Sequence, residues 1–384
     1  MIAVEQAVSA PLASRQLADL GARVIKVERP GEGDFARGYD TTVNGLSSHF
    51  VWLNRSKESL TLDLKRPEAK DVLRRLLARA DVFIHNLAPG AMDRLGFDAA
   101  HLRQTCPRLI ACEISGYGSS GPYRDKKAYD LLIQSEAGLV SISGTPDTPS
   151  KTGISIADIA SGMYALSSIM AALISRGRTG QGASLEVSMF EALGEWMSYP
   201  AYYTSYGGVA PQRTGARHAA IAPYGPYPTG DGKTVYLGIQ NEREWARFCD
   251  EVLERRELAA DPDFASNSLR TRHRDRLDAV IAEAFGRLTA EQVIARLETS
   301  RIANARMNTV EEFVAHPQLV ARDRWRVIDS PVGPLRALLP PFGLDGAEAC
   351  MGPVPALGEH TDAILTEIGI DAPVAAAFRR DGVV

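Results

Sequence analysis

The sequence predicts an α/β fold with a mostly parallel sheet, and three observations predict it. Short β-rich runs alternate with helical stretches through the first half of the chain. Past the middle, a stretch dense in Tyr, Gly and Pro marks a change of character. The 384 residues, 45% of them hydrophobic, supply enough material for two domains with cores of their own.

The elements follow in order. Ile2–Glu5 reads as a strand, and Pro11 opens an amphipathic helix through Leu20 that Gly21 stops. Arg23–Glu28 and Ser59–Asp63 are the second and third strands. A helix beginning at Pro67 runs to Ala80, and Asp81–His85 is the strand after it. A helix around Ala99–Thr105 leads into the strand Leu109–Ile114. Parallel sheets bind ligands beyond the carboxyl ends of their strands, so the loops after Glu28, His85 and Ser115 are the ones to watch. Asp158–Ser175 reads as one long helix rich in Ala, Ser and Gly, followed by the strand Ala183–Ser188 and the helix Met189–Met197. Tyr199–Tyr227 lacks periodicity and reads as a crossing segment. A smaller domain follows, with a strand at Thr234–Ile239 and helices at Glu242–Leu253, Arg270–Phe285 and Ala290–Ser300. From Leu319 the chain turns irregular, with a short helix near Thr361–Ile368. The domains are thus expected at 1–200, 201–318 and 319–384.

Lys plus Arg is 43 and Asp plus Glu 47, a net charge of -4, which argues against a general nucleic-acid partner. No uninterrupted apolar run reaches the length of a bilayer span, so no membrane partner is expected. Cys106, Cys112, Cys249 and Cys350 form no CxxC pair and read as buried thiols of a reducing compartment. The start, MIAVEQAVSAP, lacks the charged and apolar regions of a signal peptide, and the expected location is the cytoplasm. The seven histidines are scattered, with no zinc-ligand spacing, so no metal is expected.

Gly116, Gly118 and Gly121 spell GxGxxG after a strand, but Pro122 and a charged stretch follow where a dinucleotide-binding helix would begin. A mobile glycine loop is the reading. Asp158 stands in a small-residue setting at the start of a helix. There it reads as an N-cap that the macrodipole keeps ionised, and an ionised, poorly hydrated carboxylate can act as a nucleophile. Lys26, Arg37, Arg94 and Lys127 lie in or near the strand-end loops and together suit a polyanion such as a nucleotide phosphate.

Six ordered blocks carry a resemblance. They are Gly21–Glu28 (GARVIKVE), Asn54–Lys57 with Leu60–Lys65, Asn86–Gly96 (NLAPGAMDRLG), Ser115–Gly118, Arg178–Gly182 and Gly358–Thr361. Together they resemble class III CoA-transferases of the CaiB/BaiF type over nearly the whole chain. The resemblance implies a Rossmann-like large domain built from both chain ends, with a smaller α+β domain between. It also implies an interlocked homodimer. It implies Asp158 as the catalytic nucleophile, and CoA contacts at Arg37, Leu62, Asn86, Leu87, Ala91, Arg94, Lys127 and Tyr129. No cofactor is implied beyond coenzyme A itself as substrate, and the partners are an acyl-CoA and a small carboxylic acid.

The implied chemistry is covalent. Asp158 attacks the donor thioester, a mixed anhydride forms, and the CoA thiolate returns to give an aspartyl-CoA thioester that the acceptor carboxylate resolves in reverse. Racemases and epimerases of the same fold are the alternative. They place a His where this chain has Tyr129, and a phenol, with an ordinary pKa of about 10, is a poor base at neutral pH. The run His218–Tyr227 resembles the branch acting on C4–C5 dicarboxylates of the succinate, mesaconate, itaconate, malate and citramalate type. Arg213, Arg217 and His218 are the expected clamp for the second carboxylate.

Overall fold

The computed structural model describes residues 1–343 and 345–384, in two compact units. One unit joins Met1–Ala137, Gly153–Ser198 and Val320–Val384, and the other joins Gly138–Thr152 and Tyr199–Leu319. Residues 138–152, read from sequence with the first part of the chain, thus fall in the second unit.

The first unit is organised by a six-stranded sheet in the order β3-β2-β1-β4-β5-β6, every pairing parallel. The strands are β1 (Ile2–Val4), β2 (Val24–Glu28), β3 (Lys57–Thr61), β4 (Val82–His85), β5 (Ile110–Ser115) and β6 (Ala183–Ser188). The inner strands are buried on both faces, as a parallel sheet covered by helices requires. α1 (Ser9–Asp19), α2 (Ser48–Asn54) and α3 (Pro67–Leu77) lie in the first three crossovers. α3 shows how the sequence specifies them. Its proline sits in the first turn, and Ala69, Val72, Leu73, Leu76 and Leu77 form one buried stripe at helical spacing. α4 (Asp130–Glu136) and α5 (Ile156–Thr179) connect β5 to β6, and α6 (Met189–Trp196) follows β6.

The strand order reverses between β1 and β4, so their connections leave in opposite directions and open a crevice at the carboxyl ends. The chain's last residues close this unit. Asp63 N–H donates to the Val383 carbonyl at 2.8 Å, Thr61 N–H to Thr361 Oγ1 at 3.1 Å, and Gly358 N–H to Ser59 Oγ at 2.9 Å. Ile364 and Leu365 join the core formed by Ile2, Val27, Leu60 and Phe83. The second unit has its own core around Trp245, Phe248, Phe264 and Phe285, with an antiparallel sheet of β7 (Tyr224–Pro228), β8 (Thr234–Gly238) and β9 (Ala303–Arg306).

Several expectations change. Lys26 is no loop residue: it lies mid-strand in β2 and is fully buried. Tyr199–Tyr227 is not aperiodic throughout. Ser198–Gly207 is α7, in which Tyr199 meets Tyr203 and Tyr202 stacks on Tyr206, each pair four residues apart and 6.0 Å between rings. The tail carries an antiparallel hairpin of Trp325–Ile328 with Leu335–Leu338 and a helix Ala372–Arg380, whose cap is Asp371. The helix expected over Arg270–Phe285 is broken at His273, and Cys350 is exposed rather than buried. α5 is long and apolar enough to cross a bilayer by length and composition. Its many small residues spread its hydrophobicity, so no apolar run announces it. In this fold it packs along α1 and against β5 and β6.

Candidate active site

Two adjoining cavities open at the switch point between β1 and β4, and Gln6 and Leu87, in the loops after those strands, line both. The first, of about 320 Å³, is lined by Leu62, Leu87, Ala91 and Arg94, four of the residues expected to meet CoA, together with Lys65 and Arg29. Arg94 is exposed there, with one hydrogen bond to the Pro89 carbonyl at 3.3 Å. The second cavity, of about 450 Å³, is lined by Asp158 with Asn86, Lys127 and Tyr129, and by Ser9, Tyr39, His49 and Asp130. Expected CoA residues therefore occur in both chambers, and the expected nucleophile in one.

Asp158 lies in the first turn of α5 rather than at its cap. The capping is done from another helix. Asp130, the first residue of α4, accepts from Ala157 N–H at 2.8 Å and from Asp158 N–H at 3.3 Å. Its other oxygen accepts from Gln134 Nε2 at 2.6 Å. One turn along α5 from Asp158 is Gly162. A side chain there would come within 2.6 Å of the Ser9 carbonyl, so this glycine lets α1 press against α5. That approach brings the Ser9 hydroxyl to the Asp158 carboxylate as a donor.

The charge state differs from the expectation. Burial, and then the like charge of Asp130, push Asp158 up to about 7, against the smaller opposite effect of the Ser9 hydroxyl. The macrodipole does not keep this carboxylate fully ionised. Carboxylates so perturbed in a cleft mark functional sites.

The loop after β1 is held from two sides. The Asn86 amide accepts from Gln6 N–H at 2.9 Å and donates to the Gln6 carbonyl at 2.8 Å and to Ser9 Oγ at 3.0 Å. Asp34 accepts from Ala7 N–H at 3.0 Å, which fixes Ala7 at φ 61°, a conformation costly for any residue with a Cβ. Behind Asp34 stands a fully buried network. Lys26 Nζ pairs with Asp34 at 2.8 Å and with Glu5 at 3.5 Å, and Lys57 Nζ pairs with Glu5 at 2.6 Å. Lys26 thus supports the loop instead of meeting a polyanion. Arg37 lines neither cavity. It forms a two-pronged pair with Glu28 (2.8 Å each) over the Phe50 ring, 3.7 Å from its centroid. Burial raises Glu28, but Arg37, Lys26 and Ser59 outweigh it and hold the carboxylate at about 2.

Arg213, Arg217 and His218 belong to the second unit. Arg213 donates to the carbonyls of Ser141, Thr145 and Pro146, and Arg217 Nε pairs with Asp278 at 3.0 Å. The His218 ring stacks on Tyr224 with centroids 5.3 Å apart. Each is already engaged in holding its own segment. The glycine loop after β5 starts no helix until Asp130, as the sequence reading required. Sequence reasoning missed Gln6, Ser9, Tyr39, His49 and Asp130. Only Gln6 and Ser9 had a signal, their place just past the first strand.

The family model for CoA-transferase family III matches residues 1–361. This chain belongs to CoA-transferase family III. It is 34% identical over 401 residues to an acyl-CoA transferase of Fusarium pseudograminearum, covering 100% of this chain and 87% of that one. It is 32% identical over 384 residues to a succinate–glutarate CoA-transferase of Agrobacterium fabrum, covering 96% and 94%. Among solved structures, a CaiB/BaiF family protein from Brucella suis superposes with a TM-score of 0.82 at 34% identity, covering 96% of this chain and 98% of that one.

Proposed function

We propose that this enzyme moves CoA from a donor such as succinyl-CoA to a small dicarboxylate, through a covalent aspartyl-CoA thioester on Asp158. The observation that carries the reading is Asp158 itself, a carboxylate in the second chamber beside the chamber lined by Leu62, Ala91 and Arg94. The dicarboxylate class is supported by the Agrobacterium fabrum relative, named a succinate–glutarate CoA-transferase. In the forward half, Asp158 Oδ attacks the thioester carbonyl and expels the CoA thiolate, leaving a mixed anhydride. The thiolate attacks the aspartyl carbonyl, and the donor leaves as its carboxylate. The acceptor carboxylate then displaces the thiolate from the aspartyl thioester. The thiolate finally takes the acceptor acyl group and frees Asp158. The nucleophile must be ionised, and the retained thiolate must be kept from solvent. Succinyl-CoA incubated with the enzyme and a panel of acids, read by mass spectrometry, tests the reading. A CoA-sized mass increase on the protein, lost on adding acceptor, supports it. Solvent deuterium entering Cα with no acid acceptor would instead favour the racemase alternative.

The sequence-based assignment of the second-carboxylate clamp to Arg213, Arg217 and His218, all engaged within the second unit, is tested separately. A charge-assisted hydrogen bond is worth roughly 1.5–3 kcal/mol, or about ten- to a hundredfold in rate. A clamp at Arg217 would show in Arg217→Ala as a loss of that factor in kcat/KM for glutarate and little for pentanoate. Equal losses on both acids would assign Arg217 to supporting its segment through Asp278.

We also propose that the active form is a homodimer. Met163, Ser167, Met170 and Ile174 form an exposed, largely apolar stripe along α5, and Tyr199, Tyr202 and Tyr206 stand exposed on α7. Exposed apolar side chains of this kind suit burial against a second copy. Sedimentation at micromolar concentration is expected to show one dimeric species. A stable, active monomer would overturn the assignment.

A further inference from the structure

We propose that His49, presented against Tyr39 in the Asp158 chamber, reads the far carboxylate of the dicarboxylate acceptor. The inference rests on the CoA-transfer reading above and deepens it. His49 and Tyr39 both line the chamber that holds Asp158. Tyr39 is raised to about 12 by burial and then by the charges of Asp34, Asp158 and Tyr129, so its phenol shares the chamber's field with the nucleophile. The His49 ring meets Tyr39 edge-on, with centroids 5.4 Å apart and planes at 85°. His49 therefore stands one ring removed from Tyr39 on the chamber wall.

The two ring nitrogens of His49 differ. Nδ1 is inaccessible and has no hydrogen-bond partner, its nearest anion being Asp40 Oδ2 at 3.9 Å. Asp40 is itself fixed, accepting from Thr42 Oγ1 at 2.6 Å and from Ser48 Oγ at 2.7 Å. The side chain is nevertheless 42% exposed, so its open edge is the Nε2 side. An Nε2–H donor there has no role in holding the fold. Three other donors of the chamber are engaged or expected elsewhere. Lys126 pairs with Glu136 and lies 4.2 Å from the Tyr123 ring centroid, Asn86 holds the Gln6 loop, and Lys127 is expected to meet CoA.

The chemistry of the acceptor demands such a group. One carboxylate must reach the aspartyl thioester on Asp158, beside the negative Asp130. The second carboxylate, a short methylene chain away, cannot remain unpaired near that charge in a partly dehydrated chamber. A ring donor flanked by a phenol satisfies it, whereas a monocarboxylate makes no use of it.

A competition experiment tests the proposal. With succinyl-CoA as donor and glutarate and pentanoate mixed as acceptors, both acids partition the same enzyme-bound CoA. The ratio of glutaryl-CoA to pentanoyl-CoA therefore reads the acceptor step alone, free of any effect on the donor. His49→Leu is expected to lower that ratio at least about tenfold, and His49→Gln, which keeps a donor, to fall between it and the wild type. A ratio unchanged within about twofold in His49→Leu overturns the proposal, even if total activity falls, because a merely structural role slows both acids alike. So does a ratio that collapses in Arg217→Ala but not in His49→Leu, which would place the reader in the second unit. If the wild type transfers CoA to neither acid, the transferase reading fails separately. Calorimetric binding of glutarate against pentanoate, on wild type and His49→Leu, then decides the His49 assignment. A selective loss of glutarate binding upholds it, and equal binding ends it.

Discussion

Asp158→Ala is expected to abolish CoA transfer, by at least about a thousandfold in kcat, or about 4 kcal/mol of barrier. The reaction asks Asp158 to form and break two bonds, and the described residues of its chamber offer only one other carboxylate, Asp130, both of whose oxygens are occupied. Intact-protein mass spectrometry after incubation with succinyl-CoA is expected to show no CoA adduct on the variant. Binding of free CoA is expected to stay within a few-fold, because Leu62, Ala91 and Arg94 line the adjoining chamber and owe nothing to the Asp158 side chain. More than a few per cent of wild-type turnover, or an adduct that persists on the alanine variant, would remove Asp158 from the chemistry. A parallel collapse of CoA binding would instead show that the substitution damages the α1–α5 contact at Gly162 and Ser9.

Much of the sheet was legible in the sequence because strands such as β1 and β4 are short apolar runs bounded by charges, glycines or prolines. The alternation with helices fixed the parallel pairing, and with it the end of the sheet at which to look. Asp158 was legible because a lone acid in a small-residue helix start is unusual for a core. Its charge state was not, because burial, the larger cause, comes from packing, and Asp130, the second, is 28 residues away in sequence. Lys26 misled for the same reason. A lysine among valines and isoleucines reads as a strand end when its partners Glu5 and Asp34, on two other segments, cannot be seen to converge. The tyrosines of α7 fall in a stretch that reads as a crossing segment because Pro and Gly are dense there, although their spacing of three and four is helical. His49 and Tyr39 carry no motif at all. Only the fold brings the turn after β2 and the start of α2 to the wall of the Asp158 chamber.

The pH behaviour of Asp158 gives the last prediction, and activity and stability are expected to run in opposite directions. Only the ionised carboxylate attacks a thioester. With Asp158 held near 7, the ionised fraction, and with it kcat/KM, is expected to rise about tenfold from pH 6 to pH 8. Asp130→Asn keeps an oxygen to accept from Ala157 N–H while removing the like charge, so the rising limb is expected to move toward acid. A limb that does not move would leave burial, the larger cause, as the whole explanation. For stability, the folded-state value lies above the ordinary 3.8 of the unfolded chain. Between the two values the folded protein binds more protons than the unfolded one. The Asp158 contribution is therefore fully present below about 4 and is lost as pH rises to about 7. The shift of about three units bounds that loss at roughly 4 kcal/mol. Asp158→Asn carries no charge at any of these pH values and escapes the loss. In denaturant titrations its stability relative to the wild type is expected to improve by roughly 2–3 kcal/mol between pH 5 and pH 8, whatever constant offset the amide brings. A difference that stays flat across that range would mean that Asp158 ionises in the fold as it does in water, and the acid limb of the rate profile would then need another group.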